Sequence, residues 1–295
     1  LDYLKDLGVT CIYLNPIFES HENHRYNTAN YRNVDPLLGT NEDFRELCKA
    51  AKVRGISVIL DGVFSHTGAD SIYFNKFGRY SEPGAYQSEQ SPYYSWYHFW
   101  GNKEYESWWG IDTLPNVDEN NPSYTKYICG KGGYRLDVAD ELPDEFLDNL
   151  RTCVKNYDEE KIVIGEVWED ASNKEAYGVK RRYLLGDQLD SVMNYPFREA
   201  IIAYIKGEAV TTFRDRIMGI LENYPKCTVD VLMNFVSTHD IERAINRFGG
   251  QPCDGKSKDW MAQNSLSPEE YQRGKTLLKC AMVLQFFLPG VPSIY

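Results

Sequence analysis

No apolar run in this chain approaches the roughly 20 residues that a membrane-spanning helix requires. The longest, Leu277 to Leu288, is interrupted by Lys279 and Gln285 and closed by Pro289-Gly290, so it reads as a buried helix. No secretory leader is recognisable at the start, and a cytoplasmic location is expected. Positive charge is in deficit: 32 Lys and Arg stand against 43 Asp and Glu, a net charge of −11. Neither nucleic acid nor an anionic membrane surface would be attracted to such a chain, and neither is expected as a partner. Cysteine is present without pattern. Cys11, Cys48, Cys129, Cys153, Cys227, Cys253 and Cys280 are dispersed, odd in number and without a CxxC pair, which predicts free thiols, a reducing compartment and no zinc site. A glycine-rich phosphate loop is also missing after every apparent strand, which disfavours an open doubly wound nucleotide-binding sheet.

Aromatic residues, by contrast, are abundant. At 14% of the chain, with 22 Tyr and 6 Trp, they suit stacking on sugar rings or flat cofactors as well as core packing. Apolar periodicity predicts helices over 1–7, 41–54, 143–155, 197–206, 211–223 and 268–288. Between them lie short apolar runs near 11, 57, 134, 162, 190, 230 and 291, the expected strands. Seven helix-strand units point to a (β/α)8 TIM barrel whose first strand and the end of whose eighth lie outside the chain. An open barrel of that kind is expected to be poorly soluble or to pair with itself. Residues 65–120 break the rhythm with clustered Tyr, Trp, Gly and Ser and read as a small inserted subdomain after the third strand. The expected organisation is barrel over 1–64, insertion over 65–120 and barrel again over 121–295. Within the insertion, Trp96, Trp100, Trp108 and Trp109 read as its core, with a row of sugar platforms as the other reading. His21 and His98 read as surface residues.

The strands end in charge. Gly133-Tyr134-Arg135-Leu136-Asp137-Val138-Ala139-Asp140 places Arg135 and Asp137 at the same strand parity, where isolated charges would be expensive to desolvate. Side by side, the guanidinium is expected to hold the Asp137 carboxylate ionised and lower its pKa, as a carboxylate nucleophile requires. Glu166, flanked by Val167 and Trp168 and facing other carboxylates, is expected to have a raised pKa suited to a general acid. Asp61, with His66 just beyond it, and Asp240, preceded by His239, end two further strands. Metal ligation by Asp61 and His66 lacks a third ligand, so no metal site is expected. Asp140 and Glu141 read as caps of the next helix.

Four segments, Asp61-Gly62-Val63-Phe64-Ser65-His66, Gly133 to Asp140, Gly165-Glu166-Val167-Trp168 and Ser237-Thr238-His239-Asp240, resemble in order the signature regions of the α-amylase family of retaining glycoside hydrolases. A fifth, Leu114-Pro115-Asn116-Val117-Asp118, is most similar to the neopullulanase, cyclomaltodextrinase and maltogenic amylase branch. The resemblance spans almost the whole chain. It implies Asp137 as nucleophile, Glu166 as acid/base and Asp240 as the carboxylate that binds sugar hydroxyls. It further implies that Arg135, His66, His239, Tyr26 and His24 surround the cleaved glucosyl unit, with Asp61 supporting them and Tyr26 as a stacking platform. The implied reaction is cleavage of α-1,4-glucosidic bonds in maltodextrins, cyclodextrins, pullulan or starch by double displacement. A relative that binds glycans without chemistry, or is associated with a transporter, and a transglycosylase are the alternatives.

Three features depart from the family pattern. The stretch from Pro122 to Gly133 is shorter than the helix that normally precedes the nucleophile strand. Ser65 stands where many members have an asparagine that ligates a structural calcium, so the resemblance does not carry that ion over, and no cofactor is expected. The first strand and flanking β domains are absent from the chain. A homodimer is implied for a full-length protein that carries a further N-terminal β domain.

Overall fold

Four short parallel strands carry the charged residues, and their register decides which side chains meet. In a computed structural model, which describes residues 1–101, 103–129 and 133–295, these are β1 (Cys11–Leu14), β2 (Ser57–Gly62), β3 (Tyr134–Leu136) and β4 (Val163–Gly165), side by side in that order. Tyr13 pairs with Ile59, Asp61 with Arg135, and Arg135 with Ile164. Side chains alternate faces along a strand, so Tyr13, Asp61, Arg135, Asp137 and Glu166 share one parity and one face. The expected strand over 134–139 stops at Leu136 because Val138 turns into the left-handed region (φ 40°, ψ 60°), which breaks the ladder.

The helices between these strands begin where capping chemistry places them. α1 (Asp2–Asp6) precedes β1. α2 (Asn41–Val53) opens with a capping box in which Thr40 accepts from the amide of Asp43 and Asp43 answers at the amide of Thr40. α3 (Pro122–Ile128) has Asn121 as its N-cap and proline in its first turn, and extends only 7 residues. The segment that follows falls partly on residues 130–132, which lie outside the described residues. α4 (Asp144–Tyr157) buries Phe146, Leu147, Leu150 and Val154, one helical face, with Phe146 packed on Phe64 and Tyr124. Strands and helices thus alternate as expected, but no strand pairing among the described residues closes the sheet into a ring.

The chain divides into two units, Leu1–Glu166 with Leu185–Leu189, and Val167–Leu184 with Asp190–Tyr295. In the first, tyrosines do much of the packing because each ring fills volume while its hydroxyl satisfies a strand-end carbonyl. Tyr31 donates to the Val63 carbonyl at 2.7 Å and Tyr124 to that of Phe64 at 2.8 Å. Residues 65–120 hold short elements only, among them the antiparallel pair Phe99–Trp100 with Glu104–Tyr105 and single bridges joining His66 to Asn116 and Ser107 to Pro115. Of the four tryptophans expected to form a core, only Trp96 is fully buried; Trp100 and Trp109 are exposed.

The second unit has its own core of Ile201, Ile202, Val236, Ala244, Phe248 and Ala281. These come from α5 (Tyr195–Ile205), α6 (Ala244–Gly249), α7 (Pro268–Phe287) and the segment after β5 (Met233–Asn234). The strand expected over 229–236 is corrected: Lys226–Asp230 is helical, started by Pro225, and only Met233–Asn234 is extended, pairing in parallel with β6 (Val291–Pro292). Gln285, buried on α7, donates to the carbonyls of Asn234 and Ser293 and ties that pair to the helix.

The expectation of free thiols throughout needs a larger correction. Cys129, at the end of α3, and Cys153, on α4, are disulfide-bonded, leaving five free thiols. Both face the contact between α3 and α4, which brings their Cα atoms within 5.7 Å. Linear spacing carries no information about such a meeting.

Candidate active site

Arg135 is the centre of the site and is completely buried. Its Nη1 donates to Asp61 Oδ1 and to Asp137 Oδ1, both at 2.8 Å, and its Nη2 lies 2.9 Å from Glu166 Oε2. One guanidinium therefore serves three carboxylates that are themselves almost wholly buried. The backbone clamps them further. Past the ends of the strands, the amide of Asp137 donates to Gly62, that of Glu166 to Leu136 and that of Ala139 to Glu166. The amide of Val138 reaches Glu166 Oε2 at 2.8 Å. Gly165 permits this approach: a Cβ there would sit 3.3 Å from the Cβ of Ala139 and collide with Leu189.

The electrostatics of this cluster reverse one expectation. Burial pushes the pKa of Asp137 well above its ordinary value, and Asp61 and Glu166 add to the shift; Arg135 opposes it without overcoming it. In the sequence one arginine stands beside one aspartate, whereas the fold divides that arginine among three acids. A buried cluster of three carboxylates and one guanidinium retains a proton more readily than any single exposed carboxylate.

Asp61 is saturated. Besides Arg135 at Oδ1, its Oδ2 accepts from Tyr13 at 2.5 Å and from Tyr26 at 2.9 Å. Burial raises the pKa of both phenols, so both remain O–H donors. Tyr13 is a residue that sequence reasoning misses, although a tyrosine within the apolar run Cys11-Ile12-Tyr13-Leu14 signals a buried hydroxyl in need of an acceptor.

His66 is buried beneath this group. Its Nε2 is 3.1 Å from the Tyr26 carbonyl, which only accepts, so Nε2 carries the proton and Ser65 Oγ donates to Nδ1 at 3.0 Å. Both ring nitrogens thus engage protein groups, and burial lowers the imidazole pKa from 6.5 to about 4. The Trp108 ring packs beside it at 5.3 Å. His24 is exposed; its ring stacks on Tyr26 at 6.0 Å and its Nδ1 accepts from the Tyr26 amide at 3.1 Å. The structure thus brings Asp61, Arg135, Asp137, Glu166, Tyr26, His66 and His24 together within the first unit. His239 and Asp240 belong to the second, where His239 Nε2 lies 3.1 Å from Asp240 Oδ2 and the Asp240 amide donates to Thr238 Oγ1 at 3.3 Å. No group of three or more His, Cys, Asp or Glu suited to a metal ion occurs among the described residues. Nor, among those residues, is any helix long and apolar enough to cross a membrane.

Comparison with known proteins gives this geometry a context. The sequence profile described as "Alpha amylase, catalytic domain" matches residues 1–110 and 90–295. The amylopullulanase of Thermoanaerobacterium thermosulfurigenes is 37% identical over 338 aligned residues that take in 100% of this chain and 17% of the relative. The cyclomaltodextrinase of Thermoanaerobacter pseudethanolicus is 32% identical over 317, again 100% of this chain and 48% of the relative. The chain thus spans less than half the length of these relatives. Among solved structures, the acarbose-soaked debranching enzyme of Nostoc punctiforme superposes with a TM-score of 0.79 at 29% identity, covering 100% of this chain and 62% of that one.

Proposed function

Because the chain belongs to the α-amylase family, we propose that it hydrolyses α-1,4-glucosidic bonds of maltodextrins, cyclodextrins, pullulan or starch by double displacement. The observation that carries this reading is the grip of Arg135 on Asp137 and Glu166 together, at 2.8 and 2.9 Å. Retention requires two carboxyl groups flanking the scissile bond, about 5 Å apart, one ionised and one protonated. Three carboxylates around one guanidinium supply both forms at once, since the cluster binds a proton that its members share. In the productive arrangement Glu166 holds that proton and Asp137 is ionised.

Glu166 then gives its proton to the leaving glycosidic oxygen while an Asp137 oxygen attacks the anomeric carbon, and the C–O bond to the leaving sugar breaks. The ionised Glu166 takes a proton from water, whose oxygen attacks the same carbon and displaces Asp137. The Val138 amide at Glu166 Oε2 fixes the orientation of that carboxyl through both steps. Asp240 is proposed to bind sugar hydroxyls with His239, and Tyr26 to offer its ring as a platform. His66 supports Tyr26 through its carbonyl, a role that follows from its two engaged nitrogens. Residues 65–120 are proposed as an insertion that walls the site.

Glu166→Gln tests the assignment. It preserves size and removes the titratable proton, so kcat for release of reducing ends from maltodextrin should fall by roughly three orders of magnitude or more. A loss of less than about tenfold contradicts the proposed acid.

A further inference from the structure

Tyr13, on β1, is separated from Asp137 by β2 and from Glu166 by β2 and β3, yet it closes the hydrogen-bonded chain that ends on them. Its hydroxyl donates to Asp61 Oδ2 at 2.5 Å; Asp61 Oδ1 accepts from Arg135 Nη1 at 2.8 Å; the same Nη1 reaches Asp137 at 2.8 Å. The Tyr13 ring also faces the guanidinium, whose carbon is 5.9 Å from the ring centroid. The strand register makes this meeting specific. Tyr13 is opposite Ile59, so its side chain leans along the shared face toward Asp61, two residues further on and opposite Arg135.

We propose that Tyr13 is a positioning residue for the reaction, fixing through Asp61 the orientation in which Arg135 holds Asp137 and Glu166. The proposal rests on the hydrolase reading for its kinetic consequence, but its physical content is independent of it. Asp61 has four lone-pair directions and two cannot be met by Arg135 alone; Tyr13 and Tyr26 meet them. With both phenols in place the Asp61 carboxylate is held at Oδ2 while Oδ1 accepts from the guanidinium. Without Tyr13, Asp61 is free to rotate, and Arg135 loses the contact that fixes its fork. The charged and titratable groups around Tyr13 are Asp61 on β2, Arg135 on β3 with Asp137 just past its end, Glu166 after β4, and Tyr26 with His24 and His66 on its far side. The Tyr13 O–H stabilises negative charge in the buried cluster that holds Asp137, so its removal raises further the pH at which Asp137 ionises.

Tyr13→Phe removes the hydroxyl alone. The expected result is a fall in kcat of roughly tenfold to a hundredfold with KM changed by less than about twofold, and an upward shift of the acid limb of kcat/KM by roughly one pH unit. Tyr31→Phe is the control, because it deletes a buried hydroxyl that bonds to a backbone carbonyl outside this chain of contacts. It should lower thermal stability without moving the pH profile. A Tyr13→Phe profile that superposes on wild type, or one that Tyr31→Phe reproduces, overturns the proposal. A second measurement does not need turnover: in a crystal structure of Tyr13→Phe, the Arg135 guanidinium should shift away from its contacts to Asp137 and Glu166, which it holds at 2.8 and 2.9 Å in the wild-type protein. If the wild-type protein releases no reducing ends, the hydrolase reading falls, and an Arg135 guanidinium unmoved in Tyr13→Phe alone then overturns the role of Tyr13.

Discussion

The backbone amide of Val138 donates to Oε2 of Glu166 at 2.8 Å, and it does so from a left-handed conformation that a β-branched residue adopts only under strain. The residue after one carboxylate thus holds the other. A turn of this kind is worth roughly 1–3 kcal/mol of strain, and it persists because Gly165, Ala139 and the strand-end amides leave the chain no other path. The consequence is a pair of acids whose spacing is set by backbone as well as by Arg135.

Stability and activity should separate at Asp137. Its pKa is raised in the folded state, so its ionisation favours unfolding: the stabilising contribution is complete below the unfolded-state pKa and is lost as pH rises through the folded one. Asp137→Asn removes that penalty. The variant should be inactive on maltodextrin yet melt at a higher temperature than wild type at neutral pH, with the difference closing as pH falls toward about 4. Thermal unfolding across that range checks it, and a destabilised variant at neutral pH contradicts a raised pKa at Asp137.

His66 has the opposite sign. Burial keeps its imidazole neutral, lowering the pKa from 6.5 to about 4, so the unfolded chain takes up a proton before the folded one. Its contribution is full above the unfolded value and declines as pH falls, by roughly 3 kcal/mol over the window between the two. In urea titrations, His66→Gln should flatten the pH dependence of stability between about pH 6.5 and 5, above the range where exposed carboxylates titrate. An unchanged slope would remove His66 as its source.

The Cys129–Cys153 bond closes a loop across a separation of 24 residues. Chain-entropy arguments assign such a crosslink about 3 kcal/mol. Thiol titration of the unfolded protein should therefore find five groups without reductant and seven with it. A dithiol reductant should lower the unfolding free energy by the amount stated. Seven thiols before reduction would refute the bond.

The charged strand ends are legible in the sequence because parity is a local property: Arg135 and Asp137 are two apart, and Asp61 and Glu166 follow their own apolar runs by the same rule. What joins them is register, and no single run contains it. Tyr13 becomes visible only once Ile59 is placed opposite it. The disulfide and the helix at Lys226–Asp230 escape for related reasons, since the first depends on two helices meeting and the second on Pro225 overriding the β-branched run behind it. The direction of the Asp137 pKa shift is hidden too, because burial and the sharing of Arg135 are tertiary facts. By comparison, the helices that begin in clear caps, such as Thr40 with Asp43 and Ser267 with Glu270, fall where the periodicity puts them.

Double displacement requires above all a covalent bond between sugar and Asp137, and trapping tests it most directly. A fluorinated α-glucosyl fluoride, whose glycosyl ester forms readily and hydrolyses slowly, should label the protein once, and peptide mapping by mass spectrometry should place the added mass on Asp137. Label on another carboxylate, or active protein that forms no adduct and releases product of inverted configuration, would contradict the account.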